Sequence, residues 1–360
     1  MNRILISGYY GFANAGDEAM LSAIIGGLRA ESPQVQITVL SGNPAFTAQK
    51  HGVKSIHRFN ALAFLWHLSQ SDLLLSGGGS LLQDVTSSRS LFYYLSVLLM
   101  GELMGKKVML FAQGIGPIKS PLARRITQWV CNKANLLTVR DDGSYEELKA
   151  MGVEPKKIVV TADAVFSLPT ADKPLGRKIL KAQGVEDKPV IIFALRQWSQ
   201  EARFVREFAQ TAERLRDTYN AVVVFLPLQF PADMLVAQKV LEQMQDTRDT
   251  LVLQQGFSAK EYLAIISNCH LLIGMRLHAL VFAALANVQF LAVSYDPKVD
   301  RFVNSMGGKA VGKIETVQAE TMCQAATEAW DNKPVEQTEK INSLREQARR
   351  NIRRAIDLLA

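Results

Sequence analysis

The chain has 360 residues, long for one hydrophobic core, and its 48% hydrophobic and 21% charged residues are the make-up of a globular protein. A net charge of +7 admits nucleic acid, an acidic membrane surface or anionic small molecules as partners. No basic stripe is interleaved with aromatics, so nucleic acid is not expected, and anionic ligands fit better. Three widely spaced cysteines, Cys131, Cys269 and Cys323, form no CxxC and have no metal-ligand spacing, which suits a reducing compartment. The N-terminal apolar run is too short for a signal sequence. The most apolar helix candidate, LFYYLSVLLMGELMG (91–105), is interrupted by Glu102 and glycines before the roughly 20 residues a membrane span needs. A cytoplasmic protein is expected.

In chain order, RILISG, QITVLSG, DLLLSGG, KVMLFAQG, LLTVRD and KIVVTAD read as short buried strands, with stretches of helical period between most of them. That alternation predicts an α/β fold with a parallel sheet and helices on both faces. Residues 167–189 break the rhythm with prolines, glycines and charges, so 171–189 is read as a linker. A second series follows: VIIFALR, AVVVFLPL, TLVLQQG, HLLIG and QFLAVSYD. Two Rossmann-like domains are therefore expected, 1–170 and 190–334, and 335–360 reads as a terminal helix. Leu344, Ala348, Ile352, Ala355 and Leu359 give that helix an apolar stripe. Its cluster of Arg349, Arg350, Arg353 and Arg354 reads as a solvated face, with contact to an anionic membrane surface as the sharper alternative.

Open α/β sheets bind ligands at the carboxyl ends of their strands, and polar residues are concentrated there. ISGYYGFANAGDEAML is a strand, a glycine loop and a helix start without GxGxxG. Asp17 and Glu18 suit a helix N-terminus but would repel a phosphate. Asp17 is either a cap only, or faces with Asn14 the hydroxyls of a neutral, sugar-like ligand. Gly77 to Gly79 would let backbone approach a ligand closely. Ser80, Asp84, Thr86, Ser87, Ser88 and Arg89 follow them, and Gln113 sits in a second glycine turn. Arg140 ends a strand; it either pairs with Asp141 or Asp142, or points into the crevice.

In the second half, Ser258 and Glu261 form a capping box that starts a helix. Arg196 ends the first strand. Arg276 and His278 lie at the start of a later helix, where free N–H groups and the dipole favour an anion. Arginine adds a planar fork for carboxylate or phosphate, and His278 is a proton donor for neutral pH. Asp296 and Lys298 end the next strand. His51, His57, His67 and His270 are read as structural. The expectation is a basic half facing a hydroxyl-rich, carboxylate-bearing half across a cleft.

GYYGFANAGDE (8–18), GGGSLLQD (77–84), AQGIGP (112–117), TVRDDGSYEEL (138–148), GMRLHAL (274–280) and YDPKV (295–299), in this order, resemble the polysaccharide pyruvyl transferase family over most of the chain. Within it they are most similar to the bacterial cell-surface-anchoring branch. The resemblance implies a glycosyltransferase-B-like fold. It also implies transfer of the enolpyruvyl group of phosphoenolpyruvate to a sugar as a ketal, with release of phosphate. In the anchoring branch the acceptor is N-acetylmannosamine of a lipid-linked disaccharide, the product is a 4,6-ketal, and the polymer holds S-layer proteins.

Set against that chemistry, Arg276, His278, Lys298 and Arg140 are the phosphoenolpyruvate-binding candidates, with Arg276 and His278 catalytic and His278 the acid. Asn14, Asp17, Asp84 and Arg89 are the acceptor-binding candidates. No metal and no cofactor beyond the co-substrate is expected. A peripheral position at the inner membrane face is compatible with a lipid-linked acceptor. Two rival readings are a glycosyltransferase using a nucleotide-activated sugar and a non-catalytic wall-polymer binding protein.

Overall fold

The computed structural model describes residues 2–85, 87–199, 201–332 and 337–360, without the side chain of Glu201. They form two compact units: Met1–Phe12, Asp17–Leu168 and Asn342–Ala360 make the N-terminal unit, Ala13–Gly16 and Pro169–Ile341 the C-terminal unit.

The N-terminal unit runs β1 (Arg3–Ser7), α1 (Ala15–Glu31), β2 (Gln36–Ser41), α2 (Pro44–His51), β3 (Lys54–His57), α3 (Ala61–Gln70), β4 (Leu73–Ser76), β5 (Gly79–Leu82), α4 (Ser88–Leu103), β6 (Lys107–Ile115), α5 (Pro121–Lys133), β7 (Leu136–Val139), α6 (Asp142–Ala150) and β8 (Ile158–Val160). Among the described residues its sheet has the order β3-β2-β1-β4-β6-β7-β8, with β5 beside β6, and its pairings are parallel. The central strands are apolar on both faces, as a sheet covered on both sides requires. Leu5, Leu74, Val108, Leu110 and Leu137 form the middle of the core.

The C-terminal unit runs α7 (Lys173–Ala182), β9 (Val190–Ala194), α8 (Glu201–Tyr219), β10 (Val222–Phe225), α9 (Ala232–Gln243), β11 (Thr250–Val252), α10 (Ala259–Ile266), β12 (Leu271–Gly274), α11 (Leu277–Leu285), β13 (Gln289–Ser294), α12 (Pro297–Ser305), β14 (Gly312–Lys313) and α13 (Ala319–Asp331). Its parallel sheet has the order β11-β10-β9-β12-β13-β14, packed around Ile191, Phe193, Val223, Phe225 and Ile273. In both sheets the order reverses beside the first strand, between β1 and β4 and between β9 and β12. These are the switch points where such sheets bind ligands.

The strands expected from sequence are present, and β3, β5 and β14 are additional. β3 is a half-exposed edge strand without an apolar run, and β14 has only two residues. The stretch read as a linker carries α7. Asp172 caps it by accepting the Leu175 N–H at 3.1 Å, and Pro174 lies in its first turn. Proline and aspartate are helix-start signals in those positions. A Cβ on Gly176 would lie 2.0 Å from the Ala264 carbonyl oxygen, so only glycine allows α7 to seat on α10.

The terminal helix, α14 (Thr338–Asp357), packs from Asn342 onward with the N-terminal unit; Val335, the expected start, lies outside the described residues. Ala348, Ile352 and Ala355 are buried, while Leu344 and Leu359 are half-buried. Asn351 donates to Thr161 Oγ1 at 2.9 Å and Arg345 to the Leu168 carbonyl at 3.1 Å. Arg349, Arg350 and Arg353 are exposed. Among the described residues no helix is long and apolar enough to cross a membrane.

Candidate functional site

At the switch point of the C-terminal unit the Ala194 carbonyl, ending β9, accepts the N–H groups of Met275 at 2.9 Å and Arg276 at 3.4 Å. Arg276 is the N-cap of α11, in extended backbone conformation and without a side-chain cap bond, and His278 is in the first turn. The N-terminus of α11, with its helix dipole, is the kind of position that favours an anion.

The Arg276 side chain is anchored from behind. Nε donates to Asp233 Oδ2 at 2.9 Å and Nη2 to Gln229 Oε1 at 3.0 Å, and Nη2 also donates to Asp233 Oδ1. Asp233 is buried and accepts the Leu228 and Gln229 N–H groups at 3.1 and 2.9 Å. A two-point pair of this kind fixes the guanidinium plane.

Beyond β13, Asp296 caps α12 by accepting the Lys298 N–H at 3.0 Å, and the Lys298 ammonium lies 3.5 Å from its other oxygen. Tyr295 sits among cations. The Arg196 guanidinium is 4.1 Å from its ring centre and the Lys298 ammonium 5.5 Å, with the Trp198 ring at 5.3 Å. Burial pushes the Tyr295 phenol up, yet the pull of Lys298, Arg196 and Arg276 outweighs it and holds the phenol below its usual value. That phenol reports a positive potential. An open depression of about 650 Å³ beside it is lined by Arg196, Trp198, Ser199, Gln229 and Arg276 among others.

His278 is positioned by a backbone. A Cβ on Gly16 would fall 1.9 Å from His278 Nδ1, so only glycine leaves room for the ring. Gly16 is held in turn, because its N–H donates to Asn14 Oδ1 at 3.0 Å. Asn14 bridges Gln229 in antiparallel fashion and the Ala15 N–H donates to the Leu228 carbonyl at 2.7 Å. Asn14, expected on the acceptor side of the N-terminal half, therefore belongs to the C-terminal unit.

In the N-terminal unit the glycine run makes room for the protein itself rather than for a ligand. A Cβ on Gly77 would meet Tyr10 Oη at 2.1 Å, and one on Gly78 would meet Met20 Sδ at 2.8 Å. Tyr10 is fully buried and plugs the crevice between β1 and β4. Gly79 has φ +100° and sits 3.2 Å, measured from its would-be Cβ, from Asp17 Oδ1, so Asp17 lies in the first turn of α1 facing this loop. The neighbouring Glu18 is buried, accepts the Gly11 N–H at 2.9 Å and pairs with His51 Nε2 at 2.7 Å.

Two expected ligands differ from their reading. Asp84 spends both carboxylate oxygens on backbone, Oδ1 accepting the Lys119 N–H at 2.9 Å and Oδ2 accepting the Lys119 and Ser120 N–H groups at 2.8 and 2.9 Å, so it staples a turn. Burial raises its carboxyl, but those two N–H groups hold it below its ordinary value. Arg140 donates to Asp163 at 3.2 Å and Ser80 Oγ at 3.0 Å and lies 3.6 Å from Asp141. Its side chain is 7% exposed, so it braces the end of the sheet. Arg89 is exposed in the first turn of α4, and Thr86 lies outside the described residues.

Asp233, Gln229, Tyr295 and Gly16 were not singled out from sequence. Tyr295 alone had a signal, standing beside Asp296 and Lys298 at a strand end. Gln229 and Asp233 follow β10 and are brought toward the end of β12 by the β10-β9-β12 order, and Gly16 arrives through the bridge of Asn14 to Gln229.

Two Rossmann-ordered parallel sheets with a cationic strand-end site define a glycosyltransferase-B-like α/β fold. Solved structures share it: the UDP-GlcNAc 2-epimerase of Methanocaldococcus jannaschii has a TM-score of 0.72 at 12% identity, over 99% of this chain and 100% of that one. MnaA of S. aureus, solved with UDP, has a TM-score of 0.66 at 15% identity, over 99% and 95%. The chain belongs to the polysaccharide pyruvyl transferase family, whose model matches residues 14–297. It is 22% identical over 353 residues to the amylovoran biosynthesis protein AmsJ of Erwinia amylovora, covering 82% of this chain and 84% of that protein.

Proposed function

We propose that the protein transfers the enolpyruvyl group of phosphoenolpyruvate onto a sugar of a polysaccharide precursor as a cyclic ketal, releasing phosphate. The observation that carries this reading is the convergence of Arg196, Arg276 and Lys298 on Tyr295, beside the N-terminus of α11. Phosphoenolpyruvate brings a carboxylate and a phosphate, and a site of several cations with a helix terminus suits both. The Arg276 fork, fixed by Asp233, would hold one anionic group and Lys298 would compensate the charge that develops as phosphate departs.

His278 is assigned as the acid that delivers a proton to the methylene carbon, which turns C2 electrophilic. A sugar hydroxyl then bonds to C2, the C2–O–phosphate bond breaks, and a second hydroxyl closes the ketal. The two hydroxyl protons balance the proton gained by the methyl group and the one carried by phosphate. Asp17 and Arg89 are proposed for the acceptor. Asp84 and Arg140 act through the backbone and side chains they brace, and Asn14 through Gly16. The acceptor we propose is N-acetylmannosamine of a lipid-linked cell-wall polymer precursor, which places the enzyme in the cytoplasm.

The test is phosphate release from phosphoenolpyruvate with and without an N-acetylmannosaminyl-N-acetylglucosamine lipid analogue, following the acceptor by mass spectrometry. Acceptor-dependent phosphate, with a mass gain of pyruvic acid less one water, supports the proposal. Transfer to another sugar alone would keep the chemistry and replace the acceptor. Turnover of a nucleotide sugar instead would replace the reaction.

A further inference from the structure

The N-terminal sheet is covered unequally. Right-handed crossovers put α1 and α2, which lead toward the β3 edge, on one face, and α3, α4 and α5, which lead toward the β8 edge, on the other. The last three are neighbours: Lys106 Nζ, after α4, donates to the Ser69 carbonyl of α3 at 2.7 Å, and α4 packs on α5. Each turns large apolar side chains to solvent at helical spacing. Leu62 and Trp66 on α3 are 82% and 57% exposed, Leu122 and Trp129 on α5 are 63% and 51% exposed, and Phe92 and Leu103 lie outward on α4. Phe92 and Leu103 alone span about 16 Å along their helix. Scattered apolar residues need no explanation, but three adjacent helices with the same habit do.

The charge on this region leans the same way. Residues 54–133 contain nine lysines and arginines against three carboxylates; Arg58 is buried and Arg124 pairs with Glu147 of α6 at 2.7 Å, which leaves seven other cations. Of the three carboxylates, Asp84 is engaged by backbone N–H groups, and burial pushes Glu102 up to about 7. The cations stand beside the aromatics, with the Lys54 ammonium 5.4 Å from the Trp66 ring and the Lys133 ammonium 5.1 Å from the Trp129 ring. Tryptophan and lysine side by side are both favoured at headgroup depth in bilayers. A second copy of the same face is a poor match, since two like-charged surfaces would have to meet.

We propose that the α3–α4–α5 face of the N-terminal unit is the surface by which this protein docks on an anionic lipid bilayer. Exposed leucines and aromatics enter the headgroup boundary while the lysines and arginines meet acidic headgroups. The arginine row of α14 is not this surface: Arg353 lies 3.6 Å from Glu31 of α1, and Ile352 packs against Gly27, which places α14 on the opposite side of the sheet. The proposal holds whichever sugar is the acceptor.

The experiment is co-flotation of the full chain with vesicles of phosphatidylglycerol and phosphatidylcholine, compared with phosphatidylcholine alone. Binding to the anionic vesicles is expected, with quenching of tryptophan fluorescence by brominated lipid. Trp66→Ser with Trp129→Ser should lower the bound fraction roughly tenfold, and Lys119→Glu with Arg125→Glu should do the same. Arg349→Glu with Arg350→Glu should leave binding intact. Quenching in the wild type needs no variant, so a misfolded mutant cannot decide the outcome. The proposal is overturned by absence of binding to anionic vesicles, by loss of binding only in the α14 variant, or by a dimer that the tryptophan substitutions convert to monomer.

Discussion

Asp233 holds Arg276 by a two-point ion pair, and Asp233 is itself held by the N–H groups of residues 228 and 229. The arginine is therefore aimed before any ligand arrives. Preorganised charge of this kind costs no reorganisation when the anion binds. Arg276→Lys keeps the charge but loses the fork, so kcat/KM for phosphoenolpyruvate should fall by about a hundredfold. Asp233→Ala leaves a guanidinium 13% exposed without its partner, and denaturant unfolding should show a loss of about 3 kcal/mol.

Gly16 tests whether His278 works through its position. Gly16→Ala puts a methyl group where the imidazole lies, and the ring must move by more than an ångström. Misplacement of that size costs catalysis about a hundredfold, so kcat should drop while binding of phosphoenolpyruvate, followed by calorimetry, changes little. Unchanged kcat in a folded Gly16→Ala variant would remove His278 from the proton transfer.

Tyr295 reports the potential of the site. Burial alone would raise its phenol, and Lys298, Arg196 and Arg276 reverse the shift. Removing Lys298 or Arg196 should move the phenolate absorbance change, identified by its loss in Tyr295→Phe, to higher pH. The lowered folded value contributes stability that is present above the ordinary tyrosine pKa, about 10, and is lost as pH falls through the folded value. Near neutrality it contributes none.

The Glu18–His51 pair anchors the GYYGF loop. Both side chains are almost completely buried, at 2% and 4% exposure. Burial raises the Glu18 carboxyl, but the His51 hydrogen bond and the Gly11 N–H lower it further than burial raises it. Its stabilising contribution is present above the ordinary glutamate value and lost as pH falls through the lower folded one. Glu18→Gln should cost about 2 kcal/mol near neutrality, and the difference from wild type should shrink in acid.

Much of this was legible in the chain itself. β-rich runs punctuated by glycine and charge announced two parallel sheets, and the positions of Arg276, His278 and Lys298 just beyond strand ends could be read from the same pattern. What escaped has physical causes. β3 carries too little apolar signal for an edge strand, and α7 is disguised by proline and aspartate that start a helix as readily as they break one. Asp233 looks like an ordinary surface acid in ADML until the order β10-β9-β12 brings the ends of β10 and β12 to the same region. Gly77 and Gly78 resemble a ligand loop, and only the packing shows that Tyr10 and Met20 fill the space. The motifs pointed to the family, whereas the network that aims Arg276 appears only in three dimensions.

The central claim is that the cations of the C-terminal unit take phosphoenolpyruvate. Its most direct test is calorimetric titration of phosphoenolpyruvate into the wild-type protein, Arg276→Lys and Arg196→Ala. Saturable binding by the wild type, weakened about tenfold or more in each variant, is the predicted result. Equal binding by all three proteins, or binding of a nucleotide sugar in place of phosphoenolpyruvate, would contradict it.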